Sequence, residues 1–190
     1  AQIALSKAFT NTSGGSVAML AGENHIGEIG GKTAVVSACV TRPADTTAYA
    51  IGDMWADATA NGTLLRFPSC ARKNNGSGII SQVICTDSAS QATMPTLNLW
   101  IFDNTITSPS DNAPFPLTDA EIEKTIGVVE ITTWFAGGST LNGLSQVRNL
   151  NIPFVCQSAC NSLWGVPTLT NAYTPTSGEN LEWRLGILQD

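Results

Sequence analysis

His25 is the only histidine of the 190-residue chain, so any role that needs an imidazole near neutral pH falls to it. It stands among Gly22, Gly27, Gly30 and Gly31, and no G-x-S-x-G turn supplies a serine nucleophile for a Ser-His-Asp triad. A structural or solvent-facing histidine is the favoured reading, with a pH-sensitive contact as the functional alternative. Asp103 and Asp111 bracket the loop DNTITSPSDN, and two carboxylates in one loop could bind calcium or serve a glycosidase. Their spacing matches no calcium loop, and solvation of a polar turn is the expected role. Cys156 and Cys160 could bridge or bind a metal, but no histidine and no second cysteine pair stands nearby to complete a zinc site. Cys39, Cys70 and Cys85 bring the count to five. An odd number spread this widely does not read as a disulfide framework, and Cys39 and Cys85, inside apolar runs, are expected to behave as small hydrophobes.

Other signatures are missing or weak. There is no Walker A loop, no G-x-G-x-x-G after a strand and no H-E-x-x-H, so no cofactor and no catalytic site is expected. The glycine doublets Gly14-Gly15, Gly30-Gly31 and Gly137-Gly138 read as turns needing positive φ. Sequons at Asn11, Asn61 and Asn75 are expected by chance in a chain rich in Asn, Ser and Thr. Trp100, Trp134 and Trp183 fall in strand patterns and are expected to pack in the core. Trp55 and Trp164 stand beside turns and are the candidates for ligand contact.

Composition narrows the partners. The net charge of −6 and a densest basic cluster of only Arg72-Lys73 disfavour nucleic acid. No apolar run is long enough for a membrane-spanning helix. Charged residues are 13% of the chain, about half of the roughly 25% usual in soluble domains. Such a surface relies on Ser, Thr, Asn and Gly for solvation, or is covered by partners, as in extracellular β-proteins and virion shells. The run Val17–Ala21 follows a Gly/Ser stretch in place of a cationic region and does not read as a signal peptide, so cytoplasmic synthesis is expected.

The elements that would position these residues are short strands. Residues 1–30 read as an N-terminal arm, with Phe9, Met19, Leu20 and Ile26 as apolar beads on a small-residue string. Residues 31–190 read as a single β-sandwich domain. Strands are expected over Thr33–Arg42, Ala48–Trp55 (interrupted at Ile51–Met54), Gly62–Phe67, Ile79–Thr86, Leu97–Phe102, Ile126–Phe135, Asn151–Cys156 and the segment around Leu181–Ile187. In the last, Leu181, Trp183, Leu185 and Ile187 alternate with Glu182, Arg184 and Gly186, giving one buried face. One helix is expected. Thr118-Asp119-Ala120-Glu121 is a capping box, and about two turns should run on towards Gly127. Eight or so strands with long connections and one short helix indicate an all-β antiparallel sandwich, jelly-roll-like, with an immunoglobulin-like sandwich as the alternative.

The segments His25–Val36 (HIGEIGGKTAVV) and Thr41–Asp53 (TRPADTTAYAIGD) are similar to a family of tailed-bacteriophage structural proteins. Asn61–Phe67 adds less, while Leu97–Asn104 (LNLWIFDN) and Asp111–Ala120 (DNAPFPLTDA) also resemble that family. Together they cover most of residues 25–135. The resemblance implies a virion decoration, or cement, protein with a jelly-roll-like fold that binds the major capsid protein at the capsid surface, as a homo-oligomer. It makes Phe9, Met19, Leu20 and Ile26 the candidate contacts. The rival from another class is a carbohydrate- or receptor-binding module of the virion surface, and a third reading is a glycan hydrolase using Asp103 and Asp111.

Overall fold

The computed structural model describes residues 31–137 and 141–190. They form an all-β antiparallel sandwich of nine strands: β1 Lys32–Thr41, β2 Leu65–Phe67, β3 Ser77–Asp87, β4 Leu97–Phe102, β5 Thr125–Ile131, β6 Phe135–Gly137, β7 Asn142–Val155, β8 Leu163–Leu169 and β9 Asn180–Gln189. The helix α1, Asp119–Ile122, lies between β4 and β5. One sheet has the order β1-β9-β3-β7-β6 and the other β2-β8-β4-β5.

The pairing explains the order. Leaving out β6, the chain pairs as one long hairpin, with β4 on β5, β3 on β7, β2 on β8 and β1 on β9. That ribbon then rolls, so that β9 also pairs with β3 and β8 with β4. This is the strand order of a jelly roll, in which closure leaves few free edges. β6 is an extra three-residue strand on the start of β7. The sandwich core takes alternate residues from both sheets: Leu181, Trp183, Leu185 and Ile187 from β9 against Leu97, Leu99 and Ile101 from β4, all fully buried.

Several strands differ from the sequence reading for identifiable reasons. Simple alternation over Ile79–Thr86 would put Ile80, Gln82 and Ile84 on one face, but a register shift between Ile80 and Gln82 turns the strand over and sends Ile80, Val83 and Cys85 inward. Residues 48–55 form no strand. They make isolated bridges, Tyr49 to Tyr173, Asp53 to Pro114 and Met54 to Thr168. The run Ile126–Phe135 divides between sheets, as β5 and β6. β7 begins nine residues before Asn151 and β8 was not expected at all. β8 tolerates Pro167 because the Pro167 carbonyl accepts from Trp55 N (2.9 Å) on the side away from β4. The missing N–H points the same way, past the end of β2, so no ladder bond is lost.

The helix has one turn, not two, because Thr125 and Ile126 already belong to β5. Its capping box is formed as read: Glu121 accepts from Thr118 N at 3.1 Å and from Thr118 Oγ1 at 2.8 Å. Gly137 sits in β6 and is not among the positive-φ glycines of the described residues, which are Gly52 and Gly178. Asn61 and Asn75, two of the sequon residues, are left-handed at φ 53° and 57°.

Candidate functional site

The candidate contacts Phe9, Met19, Leu20 and Ile26, together with His25, lie outside the described residues. The remaining candidates are placed as follows. Asp111 is not a solvated turn residue. It is buried, and its carboxylate accepts from Arg42 Nη2 (3.2 Å), Tyr49 Oη (2.5 Å) and Ala56 N (3.1 Å). Arg42, also buried, donates in addition to Tyr49 Oη (3.0 Å) and Asp45 Oδ1 (2.9 Å). Burial opposes the Arg42 charge, yet its bonds to Tyr49 and Asp45 hold its pKa above the ordinary arginine value. Burial, then the Asp111 contact, raises the Tyr49 hydroxyl far above its usual range.

Trp55 belongs to the same cluster and is 1% exposed, so it cannot serve as a ligand platform. Its ring stacks on Tyr49 at 5.4 Å and 7° and lies 6.1 Å from the Tyr173 ring. Beyond Tyr173 is a second buried set. Glu179 Oε1 accepts from Tyr173 Oη and from Gln91 Nε2, both at 2.7 Å, and Oε2 accepts from Thr176 N at 2.8 Å. Asp87, 1% exposed, bonds Ala89 N at 2.8 Å and Gln91 Nε2 at 3.4 Å. Burial, and then the neighbouring Asp87 charge, raises Glu179 to about 7. These groups tie together segments far apart in sequence. Every carboxylate oxygen of Asp111 and Glu179 already accepts a bond, and neither residue lines the grooves described below.

Asp103 stands apart from Asp111. Its Oδ2 accepts from Gln157 Nε2 at 2.8 Å, so one loop holds two carboxylates with separate partners. The thiols are free, and the buried ones are held in the protonated, poorly nucleophilic form. Burial raises Cys70 to about 12 and Cys156 to about 11, and among the described residues no His, Cys, Asp or Glu group is placed to hold a metal ion. Cys39, expected inside, is exposed because its side chain projects from the outer face of β1.

The outer faces of the two sheets carry the most information. On the four-stranded sheet, Trp100, Phe102, Trp164 and Val166 form a second apolar cluster with Met54, Ile106, Phe115 and Leu117. The loop from β4 to α1 folds back over this face, and Phe115 meets Trp100 edge-on at 5.7 Å and Phe102 at 6.4 Å. Trp100 and Trp164 therefore pack outside the main core. Glu121 clasps this loop, since it also accepts from Thr107 N at 2.6 Å. The Thr107 bonds and then those of Thr118 lower its pKa to about 2. Between the loop and Ile51 lies a groove of about 430 Å³, lined by Trp100, Phe115, Asn98, Thr168 and Thr170.

On the five-stranded sheet the outer face is bare among the described residues. Thr33, Leu188, Ile79 and Pro153 are cross-strand neighbours there, with Val35 and Val155 beside them. Val35 is 63% exposed, Val155 57% and Leu188 40%. At the far edge Phe135 pairs with Leu144, both exposed. Between these patches the face is polar, with the Arg184–Glu182 pair and Arg148 on Gln146. A groove of about 570 Å³ at its end is lined by Ile79, Ile126, Phe154 and Val155 together with Asp103 and Asp190.

No protein-family model matches the sequence, and no curated protein matches it either. Among solved structures the chain is similar to one described as the cyanophage Pam1 capsid asymmetric unit. The identity is 13%, the TM-score is 0.37, and the match covers 94% of this chain and 99% of that one.

Proposed function

We propose that the protein is a bacteriophage capsid decoration, or cement, protein, which binds the outer capsid surface and stabilises contacts between major capsid subunits without catalysing a reaction. The observation that carries this reading is the asymmetry of the sandwich. One outer face is clad by the chain's own loop, whereas the other leaves Val35, Val155, Leu188 and Phe135 exposed. Apolar surface left bare in a domain with few charges is the kind of surface that a partner covers. The segments of residues 25–135 that resemble phage structural proteins point to a capsid as that partner. Burial of modest contacts, repeated across a lattice, resists internal pressure through multivalency. The arm residues Phe9, Met19, Leu20 and Ile26 are proposed to add to the grip.

The test is to mix the purified protein with capsids lacking it and to follow their resistance to heat and low salt. Binding with a gain in capsid stability supports the reading, and arm deletion should then lower occupancy. Absence of binding overturns it. One observation favours a second reading, a carbohydrate- or receptor-binding module. The groove beside Trp100 and Phe115 joins aromatic walls to the amide of Asn98 and the hydroxyls of Thr168 and Thr170. A glycan array is the direct check, with Asn98→Ala expected to abolish any signal. A hydrolase reading has less support, since Asp111 is engaged by Arg42, Tyr49 and Ala56 and has no open position for substrate.

A further inference from the structure

The two long edges of the five-stranded sheet are finished differently. Beyond the three residues that β6 pairs, the free side of β7 contains Arg148, a register shift with Asn149 left-handed at φ 59°, and Pro153. A charge, an irregularity and a proline are the usual devices that stop another strand from adding to an edge. β1 has neither an irregularity nor a proline, and its one charge, Lys32, is its first residue. From Thr33 to Thr41 the strand TAVVSACVT contains no proline, no glycine and no charge, and it pairs with β9 without a register shift.

The direction of its free groups follows from one bond. Arg42 N donates to Glu179 O at 3.0 Å, and residues 42 and 179 continue the β1–β9 register. Backbone groups alternate sides along a strand, so the even-numbered residues face β9. Thr33, Val35, Ser37, Cys39 and Thr41 turn their N–H and C=O groups outward, and among the described residues no strand receives them. Room lies beside this edge. A groove of about 380 Å³ runs along Lys32, Ala34, Val35 and Val36 and is bounded by Ser69 and Asn161.

The sequence of the edge also indicates its occupant. Read outward from Ser37, the strand is symmetric in residue character: the apolar Ala38, Cys39 and Val40 mirror the apolar Val36, Val35 and Ala34, and Thr41 mirrors Thr33. We propose that β1 pairs antiparallel with β1 of a second copy about a twofold axis at Ser37. Thr then meets Thr, Val meets Cys and Ser meets Ser, which are compatible cross-strand neighbours, and no charge faces a like charge within the paired stretch. The contact is isologous and closes at two copies. It joins two five-stranded sheets into one of ten and covers part of exposed Val35. This dimer does not depend on the capsid reading, because it forms in solution from the isolated protein.

The experiment is light scattering on the full chain across a wide concentration range, for the wild type and for Ser37→Pro. The Ser37 N–H faces away from β9, so proline removes no bond of the existing ladder. It removes both hydrogen bonds across the twofold and weakens the dimer by at least about tenfold. Val35→Lys, a charge on an exposed edge position, provides a second variant if the proline variant does not fold, and it should also be monomeric. Hydrogen exchange adds a local readout: the amides of Val35, Ser37 and Cys39 should slow as concentration rises. A wild type that stays monomeric overturns the proposal. So does a dimer that survives in a folded variant, or edge amides that exchange equally fast at all concentrations.

Discussion

The two sheets of this sandwich treat their outer faces in opposite ways. The four-stranded sheet carries Trp100, Phe102, Trp164 and Val166 outward, and the chain covers them with its own β4–α1 loop. The five-stranded sheet exposes Val35, Leu188 and Val155, and no described segment covers them. Equally apolar side chains thus have an intramolecular partner on one face and none among the described residues on the other. The clad face contributes to folding, whereas the bare face is the one that a partner covers under the proposed function. Substitutions on the first should cost stability, and those on the second should cost association.

The largest effect is expected where the cladding loop is anchored. Asp111→Ala removes the buried carboxylate that neutralises Arg42 and leaves the guanidinium with Tyr49 Oη and the more exposed carboxylate of Asp45. Breaking a buried pair on one side typically costs about 3–5 kcal/mol. Urea unfolding should show that loss, and a change under about 1 kcal/mol would mean that water reaches Arg42 and the loop is less closed than described. Phe115→Ala comes next. The ring is only partly buried, so the loss should fall below the roughly 3–5 kcal/mol of a fully buried Phe, near about 2. Protease cutting within residues 104–117 should accelerate with it.

Which parts of this comparison could be read from the sequence follows from the range of the interactions. Alternation in β9 and the unbroken run of β4 are local signals, and both strands lie where expected, with Leu181, Trp183, Leu185 and Ile187 inward. The capping box is equally local, and Thr118 and Glu121 form it. The facing of β3 is not legible locally, because one irregular step at Ser81 inverts every later side chain, and no residue type announces it. β8 was missed because Gly165 and Pro167 suggest a turn, and only the position of the Trp55 N–H shows why proline is tolerated. Asp111 was misjudged for the same reason. Its partner Arg42 is 69 residues away, so the pair exists only in the rolled topology.

The carboxylates of the two regions should also separate by pH. Glu179, in the segment entering β9, is raised from 4.5 to about 7 by burial and by Asp87. Its folded pKa exceeds the unfolded one, so its contribution is fully present below about pH 4.5 and is lost as pH rises through about 7. Glu121, in the clasp of the cladding loop, is lowered from 4.5 to about 2 by Thr107 and Thr118. Its contribution is present above 4.5 and is lost as pH falls through about 2. The windows do not overlap. Melting temperatures of the wild type should fall from pH 5 to pH 8, and Glu179→Gln should flatten that slope. Glu121→Gln should leave the slope intact and remove part of the loss at strongly acidic pH. Equal slopes in wild type and Glu179→Gln would show that Glu179 is already ionised at pH 5 and that its surroundings are wetter than their burial indicates.

The smallest effect on folding belongs to the bare face, and it tests the comparison most directly. Val155 and Leu188 lie on neighbouring parts of the five-stranded sheet at 57% and 40% exposure, so replacing both with serine removes less buried area than truncating a core side chain. Exposed substitutions of this kind usually change stability by within about 0.5 kcal/mol each. Neither residue is in β1, so the proposed β1–β1 pairing should be unaffected. If the face binds a capsid, the double variant should keep the wild-type melting temperature and oligomeric state while its occupancy on capsids drops sharply. Retained occupancy would remove the bare face from the binding surface and leave the edges and the arm as the remaining contacts. A large loss of stability instead would mean that some part of the chain already covers this face, and the division between a folding face and a binding face would fail.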